Sequence, residues 1–290
     1  LSPTLDDSFF EVLPTDLNPS RASSVSLGHS SVQYVQCVST SGLHKMAYTT
    51  WGDPSNPKVL LCVHGLTRRG SDFFALAQAM SEEYFVVCPD VVGRGHSDFL
   101  KNPMLYGVPQ YVSDIVTLIA RLNPKQLDFF GTSMGGLIGM VLAGMEHQPI
   151  RRLILNDVGP RIEFAFISRL MSYLSKPVSF SSQEQALEYV NSLTVTFGRH
   201  TAEQLRQLNL PQLIQKNNEW ILHYDPKISV PFMSQNPMTA AAGELALWQS
   251  FDKITCKTLI TRGAESDLLS VATVEEMCRR NPHAVSYTHL

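Results

Sequence analysis

Hydrophobic and polar positions alternate between two rhythms along most of the chain. Unbroken apolar runs close on Gly, Pro, Asp or a small polar residue: KVLLCVHG at 58–65, YFVVCPD at 84–90, QLDFFGTS at 126–133, RRLILNDVGP at 151–160 and CKTLITRG at 256–263. Runs apolar on both faces predict buried parallel strands. Between them lie stretches with helical spacing: DFFALAQAMSEE at 72–83, VPQYVSDIVTLIARL at 108–122 and MGGLIGMVLAGMEH at 134–147. Two further strands are predicted upstream, in SVQYVQCV (31–38) and LHKMAYTTW (43–51), and the chain closes with a helix in VATVEEMCRR (271–280) and a strand in HAVSYTHL (283–290). This order predicts an α/β fold with a mostly parallel sheet flanked by helices.

The rhythm breaks between about 159 and 252. RIEFAFISRLMSYLS, SQEQALEYVNSLTVTF, TAEQLRQLNL, PQLIQKNNEWILHY and GELALWQSF all read as helical, with no buried strand among them. A helical block set into an alternating pattern predicts a cap over the C-terminal edge of the sheet. The expected organisation is a loose N-terminal extension at 1–25, rich in Ser, Pro and Asp, a first core part at 26–158, an inserted cap at 159–252 and a second core part at 253–290. Phe164, Phe166, Met171, Trp220 and Trp248 are candidates to line an apolar pocket under the cap, with most expected to be cap core.

Composition narrows the picture by exclusion. With 290 residues, 44% hydrophobic, the chain can bury a large core, and a formal net charge of -3 implies no basic face for nucleic acid. No apolar run reaches the length of a membrane span. The five cysteines are odd in number and scattered, as in a protein with reduced thiols, so a cytoplasmic setting is expected; none are spaced like metal ligands. No metal or organic cofactor is expected.

The chemistry centres on GTSMGG, Gly131 to Gly136, where G-x-S-x-G follows a buried strand and opens an apolar helix. That context is a nucleophile elbow with Ser133 at its tip. In VHGLTRRGSDF, the loop after the first buried strand supplies a place for an oxyanion donor. Leu66 and Met134 are the expected backbone N–H pair. His64 is expected to brace that loop, and Arg68 and Arg69 to be solvated loop charges. In CPDVVGRGHSDF, Asp90, Arg94 and Asp98 are expected to hold loops together; the glycine spacing fits no phosphate cradle. An acid must orient the base. Asp267 in RGAESDLLS is favoured, with Glu265 a weaker rival and Asp157 more readily a loop brace.

On VHGLT, PDVVGRGHSD, GTSMGGLIG, LNDVGP and RGAESDLLS the chain resembles the α/β-hydrolase superfamily, in particular its MhpC-like group. The resemblance implies a serine nucleophile at Ser133, an acid at Asp267, oxyanion donors at Leu66 and Met134, and a cap over the pocket. It also implies a histidine in a Gly-His loop after the last strand, and no Gly-His pair follows Asp267. His283 precedes the final strand, at its wrong end. His289 falls at the right end, one residue before the chain stops. VSYTHL also resembles translated sequencing-adapter read-through, and the chain opens on Leu1 rather than Met. The expectation is a fragment whose native C-terminus is absent and which is inactive or nearly so. The expected reaction is hydrolysis of a small carboxylic ester or related acyl substrate through an acyl-enzyme. The alternatives are hydrolytic C–C cleavage of a vinylogous diketone and a ligand-binding protein that keeps the fold without turnover.

Overall fold

The computed structural model describes residues 32–174, 176–234 and 236–289. The extension expected at 1–25 lies outside the described residues. The main sheet holds eight strands: β1 (Gln33–Ser39), β2 (Gly42–Trp51), β3 (Lys58–Val63), β4 (Phe85–Asp90), β5 (Gln126–Thr132), β6 (Ile150–Asn156), β10 (Lys257–Gly263) and β11 (Ala284–His289). Their spatial order is β1-β2-β4-β3-β5-β6-β10-β11. β1 pairs antiparallel with β2 and β2 with β4; every other neighbouring pair is parallel.

The central strands are buried on both faces, as their unbroken apolar runs require: five of six positions in β3 and all six in β4 are buried. Helices α1 (Phe74–Met80), α2 (Val108–Leu122), α3 (Met134–Ala143) and α9 (Val271–Arg280) accompany the sheet. α3 is apolar nearly all round because it is buried between β5, β6, α2 and α8 (Pro237–Asp252). Every strand predicted for the main sheet is present.

The segment between β6 and β10 is not all helical. It contains α4 (Phe164–Leu174), α5 (Gln183–Leu193), α6 (Ala202–Asn209) and α7 (Val230–Met233), and also a second, three-stranded antiparallel sheet in the order β7-β9-β8, with β7 (Ser179–Phe180), β8 (Leu213–Lys216) and β9 (Glu219–Leu222). PQLIQKNNEWILHY, expected to be a helix, is therefore a hairpin. The turn residues decide it. Asn217 and Asn218 both take positive φ, 52° and 64°, the conformation a two-residue hairpin loop needs and asparagine tolerates.

Of the residues proposed to line a pocket, Trp248 is buried in the main core, edge-on to Phe251 with ring centroids 6.2 Å apart. Phe166 and Met171 pack against that core, and Trp220 belongs to a small cap cluster with Ala186, Val190 and Leu213. The side chain of Phe164 lies outside the described residues. A cleft of about 520 Å³ does open in the cap, but Arg169, Tyr173, Lys176 and Tyr189 are among the residues lining it rather than any of those five.

Candidate active site

The parallel strands deliver their loops to one edge of the sheet, where sites in open α/β folds gather. β5 ends at Thr132, α3 begins at Met134, and Ser133 between them sits at φ 51°, ψ -116°. That backbone is strained for any residue with a Cβ. Glycines make the turn possible. A Cβ on Gly131 would lie 2.3 Å from the Gly135 carbonyl oxygen, and one on Gly135 would lie 2.0 Å from that of Val63. The Ser133 carbonyl accepts the first helical bond, from Leu137 N–H at 3.1 Å, and its own N–H donates to the Asn156 carbonyl at 3.0 Å. The N–H of Met134, first residue of the helix, is one of the amides a helix start leaves without an intrahelical partner.

The β3 loop lies beside this turn. The position a Cβ would take on Gly65 is 3.6 Å from Ser133 Cβ, so Leu66 is the next residue along from this approach. His64 is fully buried and braces the loop. Its Nδ1–H donates to the Gly65 carbonyl at 2.7 Å, and its Nε2 accepts from Val91 N–H at 2.9 Å. Burial pulls its pKa down to about 4, so the ring is neutral, with both nitrogens engaged. It has no capacity left to act as a base on Ser133.

Arg94 holds its loop as expected and also does more than that. Its guanidinium is 0% exposed. Nε donates to the Leu66 carbonyl at 2.8 Å, Nη1 to the Val92 carbonyl at 2.7 Å and to Tyr111 Oη at 3.0 Å, and Nη2 lies 3.6 Å from Met134 Sδ. One buried cation thus touches both residues expected to supply the oxyanion donors. The sequence signal was only an Arg between two glycines of a loop.

The neighbouring arginines correct the sequence expectation outright. Arg68 and Arg69 are 8% exposed each, not solvated. Arg68 pairs with Asp72 and donates to Asn209 Oδ1 and the Leu208 carbonyl; Arg69 pairs with Asp90 and donates to His96, His223 and the Pro211 carbonyl. Residues 208–223 lie in the segment between β6 and β10, so this loop clamps that inserted segment to the main-sheet part. Burial and the Arg69 charge pull His223 down to about 4, which suits a ring nitrogen that must accept from Arg69. Asp90 also accepts from Gly70 and His96 N–H, and Asp98 from Lys45 N–H, as expected of loop-holding carboxylates.

The two candidate acids follow β6 and β10. Asp157 takes a positive φ of 54° and accepts from Gly263 N–H at 3.2 Å and Ser266 Oγ at 2.9 Å. Burial pushes its carboxyl above the ordinary range despite those donors. It bridges the β6 and β10 loops, the bracing role expected of it. Asp267 is exposed and held by a two-point pair with Arg169 of α4, at 2.7 and 2.9 Å. Those hydrogen bonds hold its carboxyl below the ordinary range. Glu265 is exposed.

The histidines separate by register. His283 is exposed and precedes β11, at the opposite end of that strand from the site. His289 pairs in register with Gly263, the last residue of β10, so its backbone sits at the edge where Asp267 follows.

These features meet in one family. The chain belongs to the alpha/beta hydrolase fold family, whose sequence model matches residues 58–283, and it is an esterase-like hydrolase. It is 54% identical over 257 residues to a 3-hydroxybutyrate-oligomer hydrolase of Cupriavidus necator, covering 87% of this chain and 88% of that protein. A serine hydrolase-like protein of Homo sapiens is 26% identical over 142 residues, 49% of this chain and 70% of that one. Among solved structures, an alpha/beta hydrolase from Novosphingobium aromaticivorans superposes with a TM-score of 0.76 at 29% identity, covering 89% of this chain and 90% of that one.

Proposed function

We propose that the chain is a serine hydrolase of oxoesters, acting on short linear oligoesters of 3-hydroxybutyrate. The strained Ser133 at the head of α3, with the β3 loop beside it, carries the reading. A hydroxyl presented this way faces a carbonyl carbon while two backbone N–H groups, of Leu66 and Met134, face its oxygen. Ser133 Oγ adds to the carbonyl and its proton passes to an imidazole. The alcohol half leaves with that proton, and water then releases the acid half from Ser133. Asp267 is the proposed acid, on its place in the loop after β10. The substrate class rests on the Cupriavidus necator relative, which supports an oxoester over a carbon–carbon bond. The MhpC-like placement rests on the quoted motifs, and a cytoplasmic setting on the scattered cysteines.

His289 is proposed as the base on its register alone, against the expectation that this tail lacks one. Release of 3-hydroxybutyrate from its linear dimer and trimer tests the whole reading. Ser133→Ala should lower kcat/KM by about 10³-fold or more while circular dichroism stays unchanged. Hydrolysis undiminished by Ser133→Ala would falsify the mechanism. A loss of similar size in His289→Ala assigns the base; an unchanged rate removes His289 from it.

A further inference from the structure

Away from the hydrolytic edge, the antiparallel start of the sheet and helix α2 enclose three side chains that hydrolysis does not use. Cys37 on β1 and His44 on β2 are direct cross-strand partners, so their side chains share one face. Asp114 lies within α2, which packs on β1. The three residues are 2%, 4% and 0% exposed. One donor atom from each (a sulfur, a ring nitrogen and a carboxylate oxygen) lies within 4.8 Å of the other two. His44 Nε2 is 2.9 Å from Asp114 Oδ2, while His44 Nδ1 is buried with no hydrogen-bond partner among the described residues.

We propose that Cys37, His44 and Asp114 form a binding site for one divalent cation of the Zn²⁺ type. Thiolate, imidazole and carboxylate together are a donor set that zinc takes in three-ligand sites, with a water or a backbone carbonyl as the fourth ligand. Charge supports the assignment. A thiolate and a carboxylate cancel a divalent cation, and a neutral imidazole adds nothing, so the loaded site carries no net charge into the core. Tetrahedral zinc spaces such donors roughly 3.3–3.7 Å apart. The nitrogen–oxygen pair is already near that spacing, and the sulfur, within 4.8 Å of both, needs to close by at most about 1.5 Å. Gln110 Nε2 donates to the other Asp114 oxygen at 2.8 Å and so orients the carboxylate. On binding, the Cys37 S–H proton passes to solvent and a sulfur–metal bond replaces it. No ligand spacing in the sequence announces this set, because strand register and helix packing bring its members together.

Untagged chain stripped of metal with a chelator and titrated with Co²⁺ tests the site. The expected result is one Co²⁺ per chain with thiolate-to-metal absorption in the near ultraviolet, bleached when Zn²⁺ displaces it. Cys37→Ser and His44→Gln should each remove the absorption, and Cys278→Ser, at a thiol outside the cluster, should keep it. Zn²⁺ should raise Tm for the unsubstituted chain and leave that of His44→Gln unmoved. If circular dichroism shows Cys37→Ser unfolded, Asp114→Asn provides the second reading and should weaken Co²⁺ binding at least tenfold. No thiolate band in the unsubstituted chain, or a band that survives Cys37→Ser or is lost in Cys278→Ser, overturns the proposal.

Discussion

At the scale of single residues, Ser133 holds a conformation that opposes folding. A residue with a Cβ at φ 51°, ψ -116° costs of order 1–3 kcal/mol, and glycine there would relieve most of it. Glycine also loses more entropy on folding, about 0.5–1 kcal/mol. Ser133→Gly is therefore expected to raise stability by about 1 kcal/mol, where Ser→Gly in an ordinary strand lowers it. A denaturant melt that moves down by 1 kcal/mol or more would remove the strain argument. The elbow was legible from residues 131–136 because its demands are local. Arg94 was legible only as a loop brace, because its partners at Leu66, Tyr111 and Met134 come from three separate segments. Arg68 and Arg69 read as solvated until the fold shows them buried.

At the scale of elements, the main-sheet strands were legible because two-sided burial writes an unbroken apolar run. The cap sheet was not. β8 is mostly exposed and β9 mostly half-buried, and both strands are too short to separate a two-residue period from a helical one. The signal that could have found them was the Asn217–Asn218 pair. Its conformation sets a test: Asn218, at φ 64°, should accept Gly with a gain of about 0.5–1 kcal/mol and lose about 1 kcal/mol as Val, since branched side chains resist positive φ. Thermal melts of the two variants should move in opposite directions from the parent; a shared direction would contradict the hairpin. The Cys37–His44–Asp114 cluster was hidden for a related reason, since register in the β1–β2 hairpin decides which residues face each other.

At the scale of the whole molecule, two histidines must stay neutral: His64 within the main-sheet loops and His223 where the inserted segment meets Arg69. His64 and His223 both fall to about 4 in the folded state from an ordinary 6.5. Their folded values lie below the unfolded ones, so the stability they allow is complete above pH 6.5 and is lost as pH falls from 6.5 towards 4. Each shift corresponds to at most about 3 kcal/mol, less for His223, whose ring is partly solvated. The raised carboxyls of Asp72 and Asp157 act in the opposite sense on acidification. The net expectation is a lower denaturation midpoint at pH 5 than at pH 7, with the gap narrowed in His223→Gln. An unchanged gap would mean that protonation of His223 is not felt by the clamp.

That clamp also makes the two seams of the inserted segment unequal. Arg68 and Arg69 fasten the β3 loop to residues 208–223 with buried and part-buried bonds, and separating them would leave two largely buried guanidinium charges short of partners. On the α4 side, cap and core are tied by Arg169–Asp267, a solvated pair that contributes little to stability. The segment between β6 and β10 is therefore held more firmly at 208–223 than at α4. Asp267 already has Arg169 as its partner, so to orient a base it must share or give up that pair.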